Sequence, residues 1–309
     1  MQPIAEALAR VTLGAPAQFQ NLTMFPLLTA EAHEPDYVLL DEALARKLAR
    51  VTEVSESGHV PELLFLNDGD AKVLLVDGEE LIGARQNRIL NVSILVGAQQ
   101  KIVVPVSCVE QGRWHYRSRH FESAGGTLFA QARARKTRSV SESLRSHGSR
   151  YSNQSEIWSD ISAKAACLRV ESSTDSMADI YEQRAAQLEA YVAAFAPQPG
   201  QAGALFAIDG RIAGLELFDA PSTFASFLPR LVRSYALDAI EVPRHAAQPP
   251  VEAVVRKFLD DMQAAALERF PALGEGEDLR IESDELAGGA LFADNRIVHL
   301  CSFPAEPGR

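Results

Sequence analysis

KVLLVDGEELIGARQNRILNVSILVGAQQKIVVPVSCVEQGRWHY, residues 72–116, is the stretch on which the fold turns. Three apolar, β-branched runs are separated there by Asp77-Gly78 and by Gly97-Ala98-Gln99-Gln100, the punctuation of consecutive antiparallel strands. Asp77-Gly78 predicts a two-residue type I′ turn, because both central positions of that turn need positive φ. Such a hairpin pairs Val76 with Glu79 and Leu75 with Glu80. It leaves apolar residues on both faces and so belongs inside a sheet. In the next run Leu90, Val92, Ile94 and Val96 share one face, and Asn87, Asn91 and Ser93 share the other. That amide–hydroxyl stripe suits either a pocket wall or a solvated sheet face. In IVVPVSCVE, Val104, Val106, Cys108 and Glu110 fall on one side, so an apolar row ends in a thiol and a carboxylate.

On the N-terminal side, Ile4 to Val11 reads as a short helix and LTMFPLL (22–28) as a strand, with Pro26 suggesting an edge or a strand end. Asp41 is a candidate cap for a helix reaching Leu48. VTEVSE (51–56) and ELLFLND (62–68) alternate as strands, separated by Ser-Gly. Toward the C-terminus, residues 117–155 turn to Ser, Arg and Gly and predict a long polar connection with one short helix. Helices follow at Glu156–Leu168 and Ser176–Phe195, the second with cap candidates at Ser172, Ser173, Thr174 and Asp175.

GALFAIDGRIAGLELF (203–218) and GALFADNRIVHLCSF (289–303) share a recipe: G-A-L-F-A, then D-[GN]-R-I around the turn. They predict two equivalent hairpins in one sheet. Apolar stripes between them mark two helices, one around Phe224 to Tyr235 with a kink or restart at Pro229, one from Val251 to Met262. Strands come in hairpins and helices in blocks, so the fold class is α+β, with antiparallel β meanders and helices added on the sheet. Residues 1–309 read as a single domain.

The totals narrow the functional classes. A chain of 309 residues with 47% hydrophobic and 23% charged residues is a folded protein and not a disordered one. Cys108, Cys167 and Cys301 are an odd number without paired spacing, which favours a reducing compartment over a disulfide framework. Glu6 and Arg10 interrupt the apolar core a signal peptide needs, and no run approaches the roughly 18–20 residues of a membrane span. The expectation is a soluble cytoplasmic protein.

Charge is segregated. Arg113 to Arg150 holds eight Arg and one Lys against Glu122 and Glu142, a net +7, so in a chain of net −11 the remainder carries −18. Such a segment faces an anionic partner, or an acidic neighbour within the fold, or is a mobile solvated loop. Nucleic acid is disfavoured, because the acidic remainder repels it and no RNA-binding motif is present.

Phosphate-loop, zinc-protease, nucleophile-elbow, C-x-x-C and Rossmann patterns are all missing from the sequence. Chemistry-bearing residues nevertheless concentrate in 79–115. Cys108 has Arg113 and His115 close in sequence, and Arg85 and Arg88 across the meander, which would favour a thiolate; a small apolar residue packed in a strand is the plainer reading. Glu79 and Glu80 flank the turn but point to opposite faces. Gln86-Asn87-Arg88 offers two amides and a guanidinium suited to a carboxylate, a phosphate or a nucleobase edge. Arg113-Trp114 pairs a cation with a stacking surface. His299 and Cys301 share a face of the last strand, yet two ligands make no zinc site, and no metal is expected.

The runs GEELIGARQNRILNVSILV, PVSCVEQGRW, SNQSEIW, FAIDGRIAGLELF, LVRSYALDAI and VHLCSF together resemble the ARPP-type domain, over roughly residues 15–304. By motif, the resemblance singles out Glu80, Gln86, Asn87, Arg88, Cys108, Glu110, Arg113 and Trp114, with Gln154 and Trp158 in the helical part. Arg85 departs from the lysine expected there and argues against an amine nucleophile. The resemblance implies association with ADP-ribosylglycohydrolases and NAD-linked metabolism, without a settled reaction or cofactor. The expected ligand is therefore nucleotide-like and phosphorylated, ADP-ribose or an NAD relative. Two readings stay open. In one, a hydrolase or transferase uses Glu80 or Glu110 as acid/base, or Cys108 as nucleophile, with Gln86, Asn87, Arg88, Arg113 and Trp114 positioning the ligand. In the other, a non-catalytic binding or scaffold protein has the same pocket.

Overall fold

The computed structural model describes residues 2–31, 33–55, 61–118, 120–242 and 249–305. Eight helices and eighteen strands are assigned among them, in α+β arrangement. A nine-stranded sheet orders its strands Val11–Leu13, Leu22–Thr29, Gln201–Ile208, Arg211–Phe218, Arg296–Pro304, Leu286–Ala293, Glu277–Glu282 and Leu267–Pro271, with Ala17–Phe19 also pairing onto Leu22–Thr29. The two predicted hairpins lie side by side in it: Leu215 faces Ser302 across their junction. Both turns have positive φ at both central residues, Asp209 and Gly210 in one, Asp294 and Asn295 in the other. Each hairpin also carries a register shift at the matching place, after Phe206 and after Leu291.

Pro26 lies inside a strand bonded on both sides, not at an edge. Its carbonyl accepts from the Gly14 amide at 2.8 Å, so the edge on which it has no N–H to donate faces the break between the strands Val11–Leu13 and Ala17–Phe19. No ladder bond is lost there.

Helices cover the large sheet on both faces. Pro3–Ala9 and Glu252–Ala264 bury Ile4, Leu8, Val255 and Phe258 against Leu27, Leu205 and Leu215. On the other face the 21-residue helix Pro221–Glu241 lays Phe224, Phe227 and Leu231 over Phe206 and Phe218, and continues unbroken through Pro229. The helix predicted over Ser176–Phe195 divides at Arg184 into Met177–Gln183 and Ala185–Ala194. Of its cap candidates, the Ser172 hydroxyl accepts from the Ser176 amide at 2.9 Å and the Thr174 amide at 3.4 Å, while Ser176 stands at the cap without a side-chain bond of its own. Asp41 likewise lies within the short helix Leu40–Ala45, where it bonds the Glu42 amide and Arg230.

The meander differs from its expected form. Strand Lys72–Leu75 joins a three-stranded sheet with Ile94–Val96 and Tyr37–Leu39. Strand Glu79–Gly83 joins a six-stranded sheet in the order Phe121–Thr127, Glu79–Gly83, Arg88–Leu90, Lys101–Cys108, Glu62–Asn67, Ala49–Glu53. The hairpin Val76–Glu79 therefore does not extend into pairing of Leu75 with Glu80. Of its central residues only Gly78 has positive φ, +79°, and the Glu79 amide still bonds the Val76 carbonyl at 3.1 Å. That is the pattern of a type II turn, whose twist splays the flanking strands. Asp77 is held instead by Lys136 at 2.5 Å and by the Ser93 hydroxyl at 2.9 Å from its amide. The Ser-Gly separator at 57–58 lies outside the described residues.

The stretch 117–155 contains strand Phe121–Thr127 and an 18-residue helix, Ala130–His147. Its basic charge meets acidic neighbours. Arg133 lies 2.7 Å from Glu216, Lys136 binds Asp77, Arg150 lies 2.7 Å from Asp278, and Arg145 contacts Glu268 and Glu282. Of the three readings of this segment, the acidic neighbour is the one the fold adopts.

Candidate functional site

Strand Glu79–Gly83 ends in a glycine for a steric reason: at φ +130° a Cβ on Gly83 would stand 2.6 Å from the His120 carbonyl oxygen. The next residue, Ala84, has φ +39°, a left-handed conformation that costs on the order of 1–3 kcal/mol for a residue with a side chain. Arg113 holds this bend in place. It donates to the carbonyls of Ala84 at 2.7 Å, His115 at 3.1 Å and Gly83 at 3.2 Å, and to Asn87 Oδ1 at 3.1 Å. A two-pronged ion pair to Glu110, at 2.8 and 2.7 Å, completes its donor set. Glu110 also accepts from the Asn87 amide and the Thr174 hydroxyl, each at 3.1 Å. Burial works against its charge, but the Arg113 bonds outweigh burial and hold the carboxyl below the usual range. Arg113, Glu110 and Asn87 thus shape the loop and spend their polar atoms on one another.

Gln86 bridges the Glu110 carbonyl, at 2.9 Å, and the Arg88 guanidinium, at 3.1 Å. Arg88 is 0% exposed, and its Nε and Nη2 have no hydrogen-bond partner. Burial lowers its pKa, while Cys108 and Glu53 act in the other direction. The pairing Arg88–Cys108, Val104–Leu63 and Leu63–Glu53 carries one sheet face from Arg88 to Glu53. Both carboxylate oxygens of Glu53 are buried and without a partner. Glu53 forms a wall of a cleft of about 930 Å³, with Arg85, Tyr116, Arg117, Ser118 and His120. The Arg85 guanidinium stands 4.5 Å from the Tyr116 ring and 5.6 Å from Trp114, and that of Arg88 6.0 Å from Trp114, which is 45% exposed.

Cys108 is fully buried, and burial raises its thiol pKa despite Arg88 nearby. Its Sγ points to the Glu110 carbonyl at 3.2 Å. The Gln154 side chain bonds both the amide and the carbonyl of Cys108, each at 2.8 Å, in the manner of a neighbouring strand. Trp158 stands near enough to the thiol to bear on it, against the effect of burial.

Glu80 faces away from this group. It pairs with Ile89, whereas Leu81 pairs with Arg88, so alternation puts the Glu80 carboxyl and the Arg88 guanidinium on opposite sides of the sheet. Glu80 is 2% exposed and its Oε1 has no partner. Burial first, then Glu110 and Asp179, push its pKa up to about 8. Glu79 is also raised, to about 7, by burial, but it is engaged: Arg230 donates to it at 2.8 Å.

A buried polar cluster between the sheets escapes a reading by motif. Glu216 accepts from Tyr235 at 3.1 Å, contacts His299 at 3.3 Å and faces Arg133, whose N–H groups are not aligned as hydrogen bonds to it. His299 reaches Ser93 at 2.8 Å, and Ser93 meets Asp77 and so Lys136. Asn91, from the same predicted stripe, bonds Ser107 at 2.6 Å and the Arg150 carbonyl at 2.9 Å. The stripe lines the interior and not a pocket. Its one sequence signal is helical spacing in Ala130–His147, where Arg133, Lys136, Thr137, Val140 and Leu144 are the buried face. Among the described residues, no group of three or more His, Cys, Asp or Glu is placed to hold a metal ion. No helix there is long and apolar enough to cross a membrane.

These features define an α+β protein with a basic–aromatic cleft on one face of its six-stranded sheet and the buried Glu80 carboxyl on the other. The chain belongs to the ARPP family, the ARG and Rhodanese-Phosphatase-superfamily-associated Protein domain, whose model matches residues 10–303. No curated protein and no solved structure shows significant similarity to it.

Proposed function

We propose that the protein binds a phosphorylated, nucleotide-like ligand, of the ADP-ribose or NAD type, in the cleft beside Arg88. One observation carries this reading: the buried Arg88 guanidinium and the Glu53 carboxylate share a sheet face, and both keep polar atoms without partners. Buried charged groups are normally satisfied, so an acceptor left open on the cleft wall at Glu53, with an unpartnered donor at Arg88 on the same sheet face, suits a polar ligand edge. Arg85, Arg117 and His120 would receive its phosphates, and Tyr116 and Trp114 its ring.

Binding without turnover is the version the arrangement favours. Glu110 is committed to Arg113, burial keeps the Cys108 thiol protonated, and Glu80 lies on the other face. The test is a thermal-shift and calorimetric titration with ADP-ribose, NAD and inorganic pyrophosphate. A ligand at about 100 times its dissociation constant adds roughly 2.7 kcal/mol of stability. No change in melting temperature with any of them rejects the cleft; release of product from a bound ligand would instead make the protein a hydrolase or transferase.

A further inference from the structure

On the far side of the six-stranded sheet lies a cavity of about 500 Å³ between strand Glu79–Gly83 and the helices Met177–Gln183, Ala185–Ala194 and Pro221–Glu241. We infer that it is a second binding site, separate from the Arg88 cleft, for a small organic cation: a primary ammonium or guanidinium head on an apolar stem. Glu80 aims into it, nine-tenths buried or more and with Oε1 unpartnered. Gly126 keeps that approach open, since a Cβ there would stand 3.1 Å from Glu80 Oε2.

The charges around the carboxyl agree in sign. Glu182 and Glu189 line the cavity, and Asp179 and Glu110 act on Glu80 from outside it. Among the described residues of the lining the one cation is Arg233, held by Glu189 at 2.8 Å. Tyr181 turns its hydroxyl to the Thr127 carbonyl at 2.7 Å and presents no charge. An anion would meet Glu182 and Glu189, with the lining cation Arg233 already paired to Glu189. A cation would supply the partner Glu80 lacks, and Ile82, Ala178, Ala185 and Leu188 would pack its stem.

A cation selects the ionised form of Glu80, and the surroundings favour the neutral acid up to a pH of about 8. Binding near neutrality therefore releases a proton to solvent. Affinity rises with pH, by up to about tenfold per pH unit, and levels off above that pKa.

The experiment is calorimetry on the full chain with n-butylammonium and n-butylguanidinium, using n-butanol and butyrate as neutral and anionic probes. Measurements run from pH 6.5 to 8.5 in buffers of differing ionisation heat. The expected result is binding of the cations alone, with proton release near pH 7 and loss of about tenfold or more in Glu80→Gln. Ala185→Leu, which fills the cavity and keeps the carboxyl, should also abolish binding, so a misfolded Glu80→Gln would leave the inference open to refutation. Cations binding no better than butanol, or equally well to both variants, overturn it. Arg88→Ala should leave these titrations unchanged, which separates this result from that of the cleft.

Discussion

Glu80 and Arg88 stand one register step apart on neighbouring strands, yet their charged groups open onto opposite faces of one sheet. The sheet stands between the two side chains, although Glu110 bears on both. Each carries a polar group without a partner, a carboxyl on one side and a guanidinium on the other. Substitutions at the two should act independently.

Arg88→Ala is expected to weaken an anionic nucleotide ligand by about 1.5–3 kcal/mol, the worth of a hydrogen bond to a charged group. In the double variant with Glu80→Gln, the loss should equal that of Arg88→Ala within about 0.5 kcal/mol. Titration calorimetry on the four proteins of the cycle decides it; a larger coupling would mean that the two faces communicate.

The raised pKa of Glu80 has a stability consequence of fixed sign. Its unfolded value is near 4.5 and its folded value about 8, so between them the folded state holds a proton the unfolded state gives up. The contribution is full below about pH 4.5 and is lost as pH rises through 8. Glu80→Gln cannot ionise, so its stability relative to wild type should grow over that window by a few kcal/mol, at about 1.4 kcal/mol for each pH unit crossed. Urea denaturation at pH 5 and pH 8 measures the difference. An unchanged gap would show that Glu80 ionises normally.

Arg133 and Glu216 are both fully buried. Arg133→Met strands the carboxylate and is expected to cost about 3–5 kcal/mol. Adding Glu216→Gln removes the stranded charge and should recover part of that loss. Denaturation midpoints that simply add would argue against direct coupling of the pair.

Thiol reactivity should follow exposure. Cys167 is exposed, whereas Cys108 and Cys301 are buried with raised pKa values. Iodoacetamide at neutral pH is expected to label Cys167 first, and the other two only on unfolding. Cys108→Ala should cost about 1 kcal/mol and spare ligand binding. Rapid selective alkylation of Cys108, seen by peptide mass mapping, would revive it as a nucleophile.

Local chemistry was legible in the sequence where it decided the outcome alone. Asp209-Gly210 and Asp294-Asn295 adopt the positive φ values their residues favour, and the strands beside them pair as expected. Asp77-Gly78 has the same local signature, but Lys136 and Ser93 bind Asp77 from distant parts of the chain and override it. The helix Ala130–His147 hid because Arg133 and Lys136 occupy core-facing positions that a reader of hydrophobic periodicity counts as surface. At the site, alternation correctly set Glu79 and Glu80 apart. It gave no sign that Arg113 and Glu110 would satisfy each other, nor that Glu53 from a separate strand would lie on the Arg88 face.

The strand Arg296–Pro304 follows every other described strand in sequence but lies inside the nine-stranded sheet, bonded to Arg211–Phe218 on one side and Leu286–Ala293 on the other. Leu22–Thr29, made far earlier, finds its partner in Gln201–Ile208. During synthesis one edge of the early strand must therefore wait about 170 residues, from Thr29 to Gln201, and the hairpin beyond it has an open edge until Arg296–Pro304 leaves the ribosome. Such long-range pairing makes for slow folding and a period of exposure to aggregation. A period of edge exposure while the chain is being made is thus written into the order of its strands.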